Sequence, residues 1–401
     1  MSQFTAISYP VRIHAGEQAL DALPAELDRC GARRAFVVCG RSVAERSNLI
    51  DRVRGLLGER VAGVHGRIGK DAPVEDVLEA VAAARACQAD ILLAVGAGSV
   101  LKATRVIAIL LAEKGPVDQL ITRYPNNAAP VSPRLNAPKL PIINILTVAT
   151  SAQNRSGAAL KNAPGGYRME FFDPKTRPQA IFWDADALLT APPTLALSTG
   201  ISVYWRALMN IGAVEQANPL VQASRYQAFH LARRAIGRVT SQDDYQARID
   251  LCAAAVLQNR DEDDGGRPFD THWVARVVYA LAAATFNLIP CVDQGQASAA
   301  LTGVVIRHFG AKCPEVTIAI GRALDDWQDG TDPAQAPALV GLAVDELFRR
   351  LGMPTRLRDL NVGLEQLSDI LRLSLKNFNA DRERSFVNNQ DLLGAVLREA
   401  W

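Results

Sequence analysis

The chain has 401 residues, of which 49% are hydrophobic and 21% charged, a composition typical of a globular protein large enough for two domains. Its 44 basic and 42 acidic residues leave a net charge of +2, and because the basic residues are scattered we expect no nucleic-acid partner. No apolar run reaches the roughly 18 residues of a membrane-spanning helix, and the N-terminus has no secretory signal pattern. We therefore expect a cytoplasmic protein without a membrane partner.

The first half of the chain alternates apolar runs with amphipathic stretches. Four apolar runs predict strands that are buried on both faces of a parallel sheet, namely Arg34–Cys39, Ile91–Val95, Pro141–Leu146 and Ala180–Trp183. Between the first two runs, Val43–Leu57 and Val74–Cys87 predict helices, the second with Asp71 and Pro73 as its cap and first-turn proline. This alternation predicts a doubly wound α/β domain.

The second half of the chain has a different pattern. After Pro192 and Pro193 the strand-like runs nearly vanish, and long segments rich in Ala, Leu and Arg predict helices over Leu195–Gly212, Leu220–Val239, Asp243–Gln258 and Trp273–Thr285. We therefore predict an α/β domain over residues 1–188 and an all-helical domain over residues 189–401.

A glycine-rich turn is the most informative local motif. The run Ile91–Val95 leads into Gly96-Ala97-Gly98-Ser99, after which a helix is predicted. Glycines at such a turn let a phosphate approach the backbone, and the N–H groups at the helix start hold its charge. A Gly-x-Gly pair is equally compatible with a plain strand–helix connection, so the turn alone leaves both hypotheses open.

Further motifs accompany this turn along the chain. They are Leu146-Thr147-Val148-Ala149-Thr150-Ser151, Asp173-Pro174, the run Pro178–Asp184, Ala191-Pro192, Ser198-Thr199-Gly200-Ile201-Ser202, and Leu351–Leu357 near the C-terminus. With these motifs the sequence resembles the iron-containing alcohol dehydrogenase superfamily, and within it is most similar to maleylacetate reductases. The resemblance covers nearly the whole chain, Phe4–Trp401. It implies a dehydroquinate synthase-like fold, with an N-terminal dinucleotide-binding α/β domain and a helical C-terminal domain.

The resemblance also implies a nicotinamide dinucleotide bound by residues 1–188. Matched residue by residue, Gly96, Ala97, Gly98 and Ser99 would hold the pyrophosphate, Thr147, Thr150 and Ser151 would line the ribose and nicotinamide, and Arg168 stands in place of a cofactor-contacting lysine. Many NAD-using members have an acidic residue where this chain has Gly40, followed by Arg41 and Ser42. Arg41 and Ser42 could receive a 2′-phosphate there, so we expect NADP in preference to NAD, unless Arg41 is simply a solvated surface charge.

The family's metal site is degenerate in this chain. In the family, an aspartate and three histidines of the helical domain bind the metal. The resemblance places Ser202 at the aspartate and Arg206 at the histidine of the first metal helix, and it places Ala280, Ala284 and Gln294 at three positions of the second region that are usually histidine. None of these residues binds a transition metal well, and a protonated guanidinium repels a divalent cation. We therefore expect no metal at this site. Lys102, likewise, replaces an acidic residue that follows the phosphate turn in the family.

Two hypotheses account for Arg206. As a catalytic group it would stabilise the charge that develops on a carbonyl oxygen during hydride transfer, with Ser202 and either Tyr204 or Tyr279 adding hydrogen bonds or a proton. As a structural group it would pair with an acid such as Asp293 and fill the vacated space. Gln294 has the same two explanations, a catalytic amide or a polar residue at a helix end.

These observations lead to two functional hypotheses. The first is a metal-independent NAD(P)H-linked oxidoreductase, similar to an alcohol dehydrogenase or a maleylacetate reductase, that acts on a small carbonyl or alcohol and favours a keto acid because arginine pairs with carboxylates. The alternative is a non-catalytic pseudoenzyme that binds a nucleotide or a protein partner. The resemblance also implies a homodimer formed through the N-terminal strand region Ala6–His14.

Overall fold

The protein is described by a computed structural model that covers residues 3–125, 130–162, 167–377 and 379–401. Its chain forms two compact units. The α/β unit comprises Tyr9–Ala196 and Thr240–Cys252, and the helical unit comprises the described part of Met1–Ser8 together with Leu197–Val239 and Ala253–Trp401. The predicted fold class, an α/β domain followed by a helical region, is confirmed.

A parallel sheet forms the centre of the α/β unit. Its strands are β1 (Arg12–Gly16), β2 (Ala35–Cys39), β3 (Val61–His65), β4 (Ile91–Gly96), β5 (Ile142–Leu146) and β8 (Ala180–Asp184). They lie in the order β1-β8-β5-β4-β2-β3, and every neighbouring pair is parallel. All residues of β2, β4, β5 and β8 are buried, and apart from Asn144 in β5 and Asp184 at the end of β8 they are apolar, as expected for strands covered on both faces.

A separate two-stranded antiparallel sheet consists of β6 (Gly157–Asn162) and β7 (Tyr167–Phe172). The sequence pattern did not predict these strands, nor did it predict β3 at the sheet edge, where most residues are only half-buried. Strands that pack on one side or lie at an edge lack the continuous apolar run on which the prediction depended.

Helices cover the sheet of the α/β unit. They are α1 (Leu23–Arg29), α2 (Arg41–Arg46), α3 (Leu49–Leu57), α4 (Val74–Ala86), α5 (Gly98–Ala112) and α6 (Ala185–Leu189). The predicted single helix Val43–Leu57 is wrong, because Ser47 is extended and separates α2 from α3. Pro73 is the N-cap of α4 and not its first helical residue, so the predicted position of this proline is also wrong.

The helical unit is built from long helices with alanine-rich buried faces. The remaining helices of the chain are α7 (Pro193–Ile211), α8 (Pro219–Ile236), α9 (Tyr245–Asp263), α10 (Trp273–Leu288), α11 (Gln294–Phe309), α12 (Pro314–Ala323), α13 (Ala336–Arg350), α14 (Leu367–Ser374) and α15 (Gln390–Ala400). Within the described ranges, no helix is both long and apolar enough to cross a lipid bilayer.

The division between the units differs from the predicted boundary at residue 188. Buried Arg248, which belongs to α9, donates hydrogen bonds to the carbonyls of Leu188 and Ala191 and so holds the segment Thr240–Cys252 in the α/β unit. Near the N-terminus, the N–H of Ile7 donates to the carbonyl of Asp263 over 2.8 Å, within the helical unit. A single boundary at residue 188 therefore assigns two segments, the described part of Met1–Ser8 and Thr240–Cys252, to the other unit from the one in which the structure places them.

Candidate active site

The turn between β4 and α5 has the geometry of a phosphate-binding turn. Gly96 ends β4 with a φ of 152°, and a Cβ added there would lie 3.0 Å from Val100 Cγ2. Ala97 is the N-cap of α5 and provides no side-chain hydrogen bond to the helix start. The first helical backbone bonds are donated by Val100 and Leu101 to the Ala97 carbonyl, so the N–H groups of Gly98 and Ser99 precede them.

The segment after β5 lies directly beside this turn. The Thr147 N–H donates to the Gly96 carbonyl over 3.3 Å, and a Cβ added to Gly98 would lie 3.1 Å from Thr150 Oγ1. Ser151 follows Thr150 and is half-buried. The structure thus brings the predicted pyrophosphate residues together with Thr147 and Thr150, because β4 and β5 are parallel neighbours whose carboxyl ends meet at one sheet edge.

Arg41 and Ser42 reach the same sheet edge from the other side of β4. They are the exposed first residues of α2, after the N-cap Gly40. A Cβ on Gly40 would lie 4.0 Å from Val100 Cγ2, so the start of α2 is close to the start of α5. The chain changes direction across the sheet between β2 and β4, and ligands of open α/β sheets bind at such a switch point.

Two basic residues extend this region. Arg168 lies exposed on β7, opposite Lys161 of β6. Lys102, in the second turn of α5, is half-buried, and its pKa is lowered to about 8 by burial and by the positive charges of Arg168 and Arg105, which the carboxylate of Asp71 partly opposes. The sequence identifies Lys102 only as the replacement of an acidic residue. Its position four residues after Gly98 also indicates that it lies near the turn.

In the helical unit, Arg206 lies on α7 with 4% of its surface exposed. Its Nη1 donates to Asn259 Oδ1 over 3.0 Å, its Nη2 donates to the Gln258 carbonyl over 2.6 Å, and its guanidinium lies 4.5 Å from the centre of the Phe269 ring. These contacts, made by residues more than fifty positions away along the chain, were not predicted. The named partners come from α9 and the segment after it.

Phe269 connects Arg206 to Tyr279. The Phe269 and Tyr279 rings are stacked with centroids 4.4 Å apart and an interplanar angle of 23°. Tyr279 is half-buried on α10. Two of the predicted catalytic residues, Arg206 and Tyr279, are thus brought to one aromatic ring.

Ser202 and Gln294 belong to a second cluster, around Ser198. Ser202 Oγ donates to the Ser198 carbonyl over 3.3 Å, and Ser198 Oγ donates to Asp293 Oδ2 over 3.2 Å. Asp293 caps α11, and a Cβ added to Gly295 would lie 2.1 Å from the Ser198 oxygen, so α7 and α11 are in close contact. Gln294, the first residue of α11, is half-buried beside this contact.

The residues that the sequence resemblance assigns to metal-ligand positions do not fit a divalent metal ion. They are one hydroxyl (Ser202), one guanidinium (Arg206), two buried methyl groups (Ala280, Ala284) and one amide (Gln294). A fixed positive charge at Arg206 opposes a cation, and the neutral oxygens are weak ligands. In the part of the chain that the structure describes, no three His, Cys, Asp or Glu side chains are grouped as a metal site.

His272 has a structural position in the same unit. Its Nδ1 accepts from the Ala275 N–H over 3.3 Å and caps α10, while its Nε2 donates to the Met209 carbonyl over 2.9 Å. Burial lowers the pKa of His272 to about 4, against the hydrogen bond to Met209, which raises it. Both ring nitrogens are therefore engaged by the backbone, and the ring is held in its neutral form.

Comparison with known proteins agrees with this architecture. Residues 10–185 match the family model described as "Iron-containing alcohol dehydrogenase". Maleylacetate reductase 2 of Cupriavidus pinatubonensis (strain JMP 134 / LMG 1197) is 26% identical over 258 residues, which is 64% of this chain and 63% of that protein.

Solved structures share the fold over the whole chain. A crystal structure of 1,3-propanediol oxidoreductase has a TM-score of 0.82 at 20% identity and covers 100% of both chains. Sulfoacetaldehyde reductase from Bifidobacterium kashiwanohense, solved in complex with NAD+, has a TM-score of 0.77 at 18% identity and covers 100% of this chain and 98% of that one.

Proposed function

Because this chain belongs to the iron-containing alcohol dehydrogenase superfamily, we propose that it is an NAD(P)H-linked oxidoreductase that acts on a small carbonyl or alcohol without a metal ion. The observation that carries the proposal is the turn at Gly96–Ser99, where strand, glycine geometry and helix start are arranged for a pyrophosphate. Thr147, Thr150 and Ser151, on the adjacent segment, would contact the ribose and nicotinamide.

The preferred cofactor in this proposal is NADP(H). Arg41 and Ser42 are exposed at the start of α2, on the strand next to β4, and neither is acidic. A guanidinium there would bind the 2′-phosphate, whereas an acidic residue would bind the free ribose hydroxyls of NAD. Arg168 would add a contact to the phosphates.

The helical unit would supply the groups that act on the substrate oxygen. The bound dinucleotide supplies the hydride. Arg206 would stabilise negative charge on the carbonyl oxygen, and its planar guanidinium would also favour a keto acid through the substrate's carboxylate. Tyr279, stacked on the Phe269 ring that Arg206 contacts, would donate the proton, with Ser202 and Gln294 as hydrogen-bonding groups.

Metal independence is part of the proposal because the donor set does not fit a metal. Arg206 puts a fixed positive charge where the family places a ligand, so the guanidinium would take over the electrostatic role that a cation has in a metal-dependent reductase. A hydrogen-bonding cation requires no coordination shell, and the buried methyl groups of Ala280 and Ala284 would supply no ligand for one.

A second candidate function is a non-catalytic pseudoenzyme that binds a nucleotide or a protein partner. One observation favours it: Arg206 is only 4% exposed, and both of its terminal nitrogens donate hydrogen bonds inside the helical unit. In this second function the guanidinium would hold the helices together through Asn259 and the Gln258 carbonyl and would not act on a substrate.

The proposal predicts dinucleotide binding without metal. Titration of chelator-treated protein with NADPH and NADH, followed by energy transfer from its five tryptophans to the nicotinamide, should give micromolar affinity and favour NADPH. Absence of binding for both dinucleotides would overturn the proposed cofactor site and leave a pseudoenzyme with a protein partner.

Turnover separates the two candidates once binding is established. We expect the metal-free protein to reduce members of a panel of aldehydes, ketones and 2-keto acids. Arg206→Met should lower kcat by about 100-fold or more with the NADPH Kd unchanged, and Arg206→Lys should recover part of the loss. Dinucleotide binding without turnover on any carbonyl would select the pseudoenzyme.

We also propose a cytoplasmic homodimer. The predicted strand region Ala6–His14 is wrong in its first part, because the structure begins β1 only at Arg12. β1 is an edge strand of the sheet, and Ile13 within it is 38% exposed, so a second copy could pair along β1. Light scattering with size-exclusion chromatography should report twice the 43.3 kDa chain mass.

A further inference from the structure

Lys102 is a half-buried lysine in the helix that follows the Gly96–Ser99 turn. It lies four residues after Gly98, in the second turn of α5. Among the residues that the structure describes, its ammonium forms neither a hydrogen bond nor an ion pair. Burying an ammonium without a partner costs free energy. We therefore expect the Lys102 ammonium to have a favourable interaction that compensates for this cost, such as one with a bound ligand.

Helix geometry directs Lys102 toward the turn. Side chains of an α-helix lean toward its N-terminus, and residues three and four apart share a face. Lys102 therefore shares a face with Gly98 and Ser99, and its four-carbon chain extends back along the first turn. From this geometry we expect the ammonium on the side where the N–H groups of Gly98 and Ser99 lie.

The charges around Lys102 are mostly of its own sign. Arg168 on β7 and buried Arg105 on α5 both lower the pKa of Lys102, after burial itself, and Asp71, in the loop before α4, acts in the opposite direction. The Asp71 N–H donates to Ser99 Oγ over 3.0 Å, which holds this loop against the start of α5. A positive charge is also unfavourable near the positive end of a helix dipole. An anion at the turn would relieve all of these interactions at once.

We infer that Lys102 is a pyrophosphate-binding residue, whose ammonium contacts the dinucleotide phosphates at the Gly96–Ser99 turn. This inference rests on the proposed function, because that function places the pyrophosphate there. It assigns to the chain a cationic contact at a position where the resemblance implies an acidic residue, and it makes the turn bind phosphate by side-chain charge as well as by backbone N–H groups.

The test compares three variants of the full chain. Lys102→Met removes the charge and keeps the length of the side chain, and Lys102→Arg keeps the charge. Lys114→Met is the control, because Lys114 is exposed just beyond the end of α5. The Kd is measured by calorimetry for NADPH, for NADH and for ADP-ribose, which carries the pyrophosphate without the nicotinamide.

We expect Lys102→Met to weaken all three ligands by a similar factor of about tenfold or more, as is usual for the loss of a charge-assisted hydrogen bond. Lys102→Arg should recover most of the affinity, and Lys114→Met should match the wild type. If Lys102→Met loses affinity for NADPH alone, Lys102 contacts the 2′-phosphate and the inference is wrong. If the wild type binds the three ligands and Lys102→Met binds them with the same affinity, only this inference is overturned. If the wild type binds none of them, the proposed function is overturned as well.

Two further readouts distinguish ligand binding from a structural role. Without ligand, Lys102→Met should melt at a temperature equal to or above that of the wild type. No hydrogen bond or ion pair to the described residues is lost, and the positive charge that is removed lies among charges mostly of its own sign. Wild-type affinity for ADP-ribose should also fall as the pH rises through about 8, where free Lys102 loses its proton, with Asp71, Arg168 and Arg105 as the charged groups around it. A Lys102→Met variant with lower unliganded stability and an unchanged pH profile would contradict the inference.

Discussion

In the α/β unit the candidate cofactor site is made mainly of backbone, and in the helical unit the candidate catalytic site is made of side chains. The turn at Gly96–Ser99 depends on a glycine φ of 152° and on helix N–H groups, whose chemistry is the same in any chain that folds this way. The positions around Arg206 depend on which side chain is present. A site built from backbone persists as long as the fold does, whereas a site built from side chains can be replaced without refolding.

The two regions also differ in how their polar groups are engaged. The side chain of Arg206 is buried and hydrogen-bonded to α9, and His272 is bonded to backbone at both ring nitrogens. Lys102 in the α/β unit is half-buried and has no such partner among the described residues. The helical region is therefore organised as a packed core, and the α/β region retains a cation for a ligand.

Substitution of Gly98 gives the strongest test of this difference. Gly98→Asp places a carboxylate in the first turn of α5, where it favours the helix but repels a pyrophosphate, and Thr150 Oγ1 has to move slightly from its place 3.1 Å from the new Cβ. We expect the NADPH Kd to rise by more than about 100-fold with little change in melting temperature. Gly55→Ala is the control, because a Cβ there meets nothing within 4 Å. Retained affinity in Gly98→Asp would remove the turn from the cofactor site.

The acid sensitivity of His272 tests whether the helical region behaves as a core. Its pKa is about 4 in the folded protein and about 6.5 when unfolded, so the unfolded chain binds the proton first and stability falls as the pH falls from 6.5 toward 4. We expect about 2 kcal/mol of this loss at pH 5, measured by urea denaturation at pH 7 and pH 5.

His272→Asn should remove that part of the pH dependence and still cap α10, since asparagine is a good N-cap. His230→Asn, at an exposed position on α8, should retain the wild-type pH dependence. The same pH dependence in His272→Asn and the wild type would show that this histidine is not held neutral by the core.

Partial restoration of the family ligands should have the smallest effect. The double variant Ser202→Asp, Arg206→His recreates two of the four ligands, while Ala280 and Gln294 leave the coordination shell incomplete. We expect no iron or zinc above background by elemental analysis after purification with either metal. Stoichiometric metal in this variant would contradict the account of the site given above.

The fold was largely predictable from the sequence because its central strands are buried on both faces. Continuous apolar runs marked β2, β4, β5 and β8, and the glycine turn marked the end of β4. The break between α2 and α3 was missed because Ser47 ends α2 through its backbone conformation and a local hydrogen bond of its Oγ to the Val43 carbonyl. Such a break leaves no trace in the apolar periodicity.

The surroundings of Arg206 were not predictable in the same way. The sequence suggests Asp293 as a structural partner of Arg206, and that pairing stays a prediction. The hydrogen bonds described for Arg206 go to Asn259 and the Gln258 carbonyl, and Asp293 accepts from Ser198. Contacts between distant helices depend on their packing, and no local motif records which residues meet. The roles of Ser202, Arg206, Tyr279 and Gln294 in catalysis stay predictions.

The contact at Gly295 has a consequence for how this protein could change. With the Ser198 carbonyl only 2.1 Å from where a Cβ would stand, residue 295 admits no side chain, and the separation of α7 from α11 is set by two stretches of main chain. Residues 202 and 294, which flank that contact, can be exchanged without moving either helix. The packing of α7 against α11 therefore does not depend on which side chains stand at positions 202 and 294. New activities can arise by substitution at these positions, at little risk to folding.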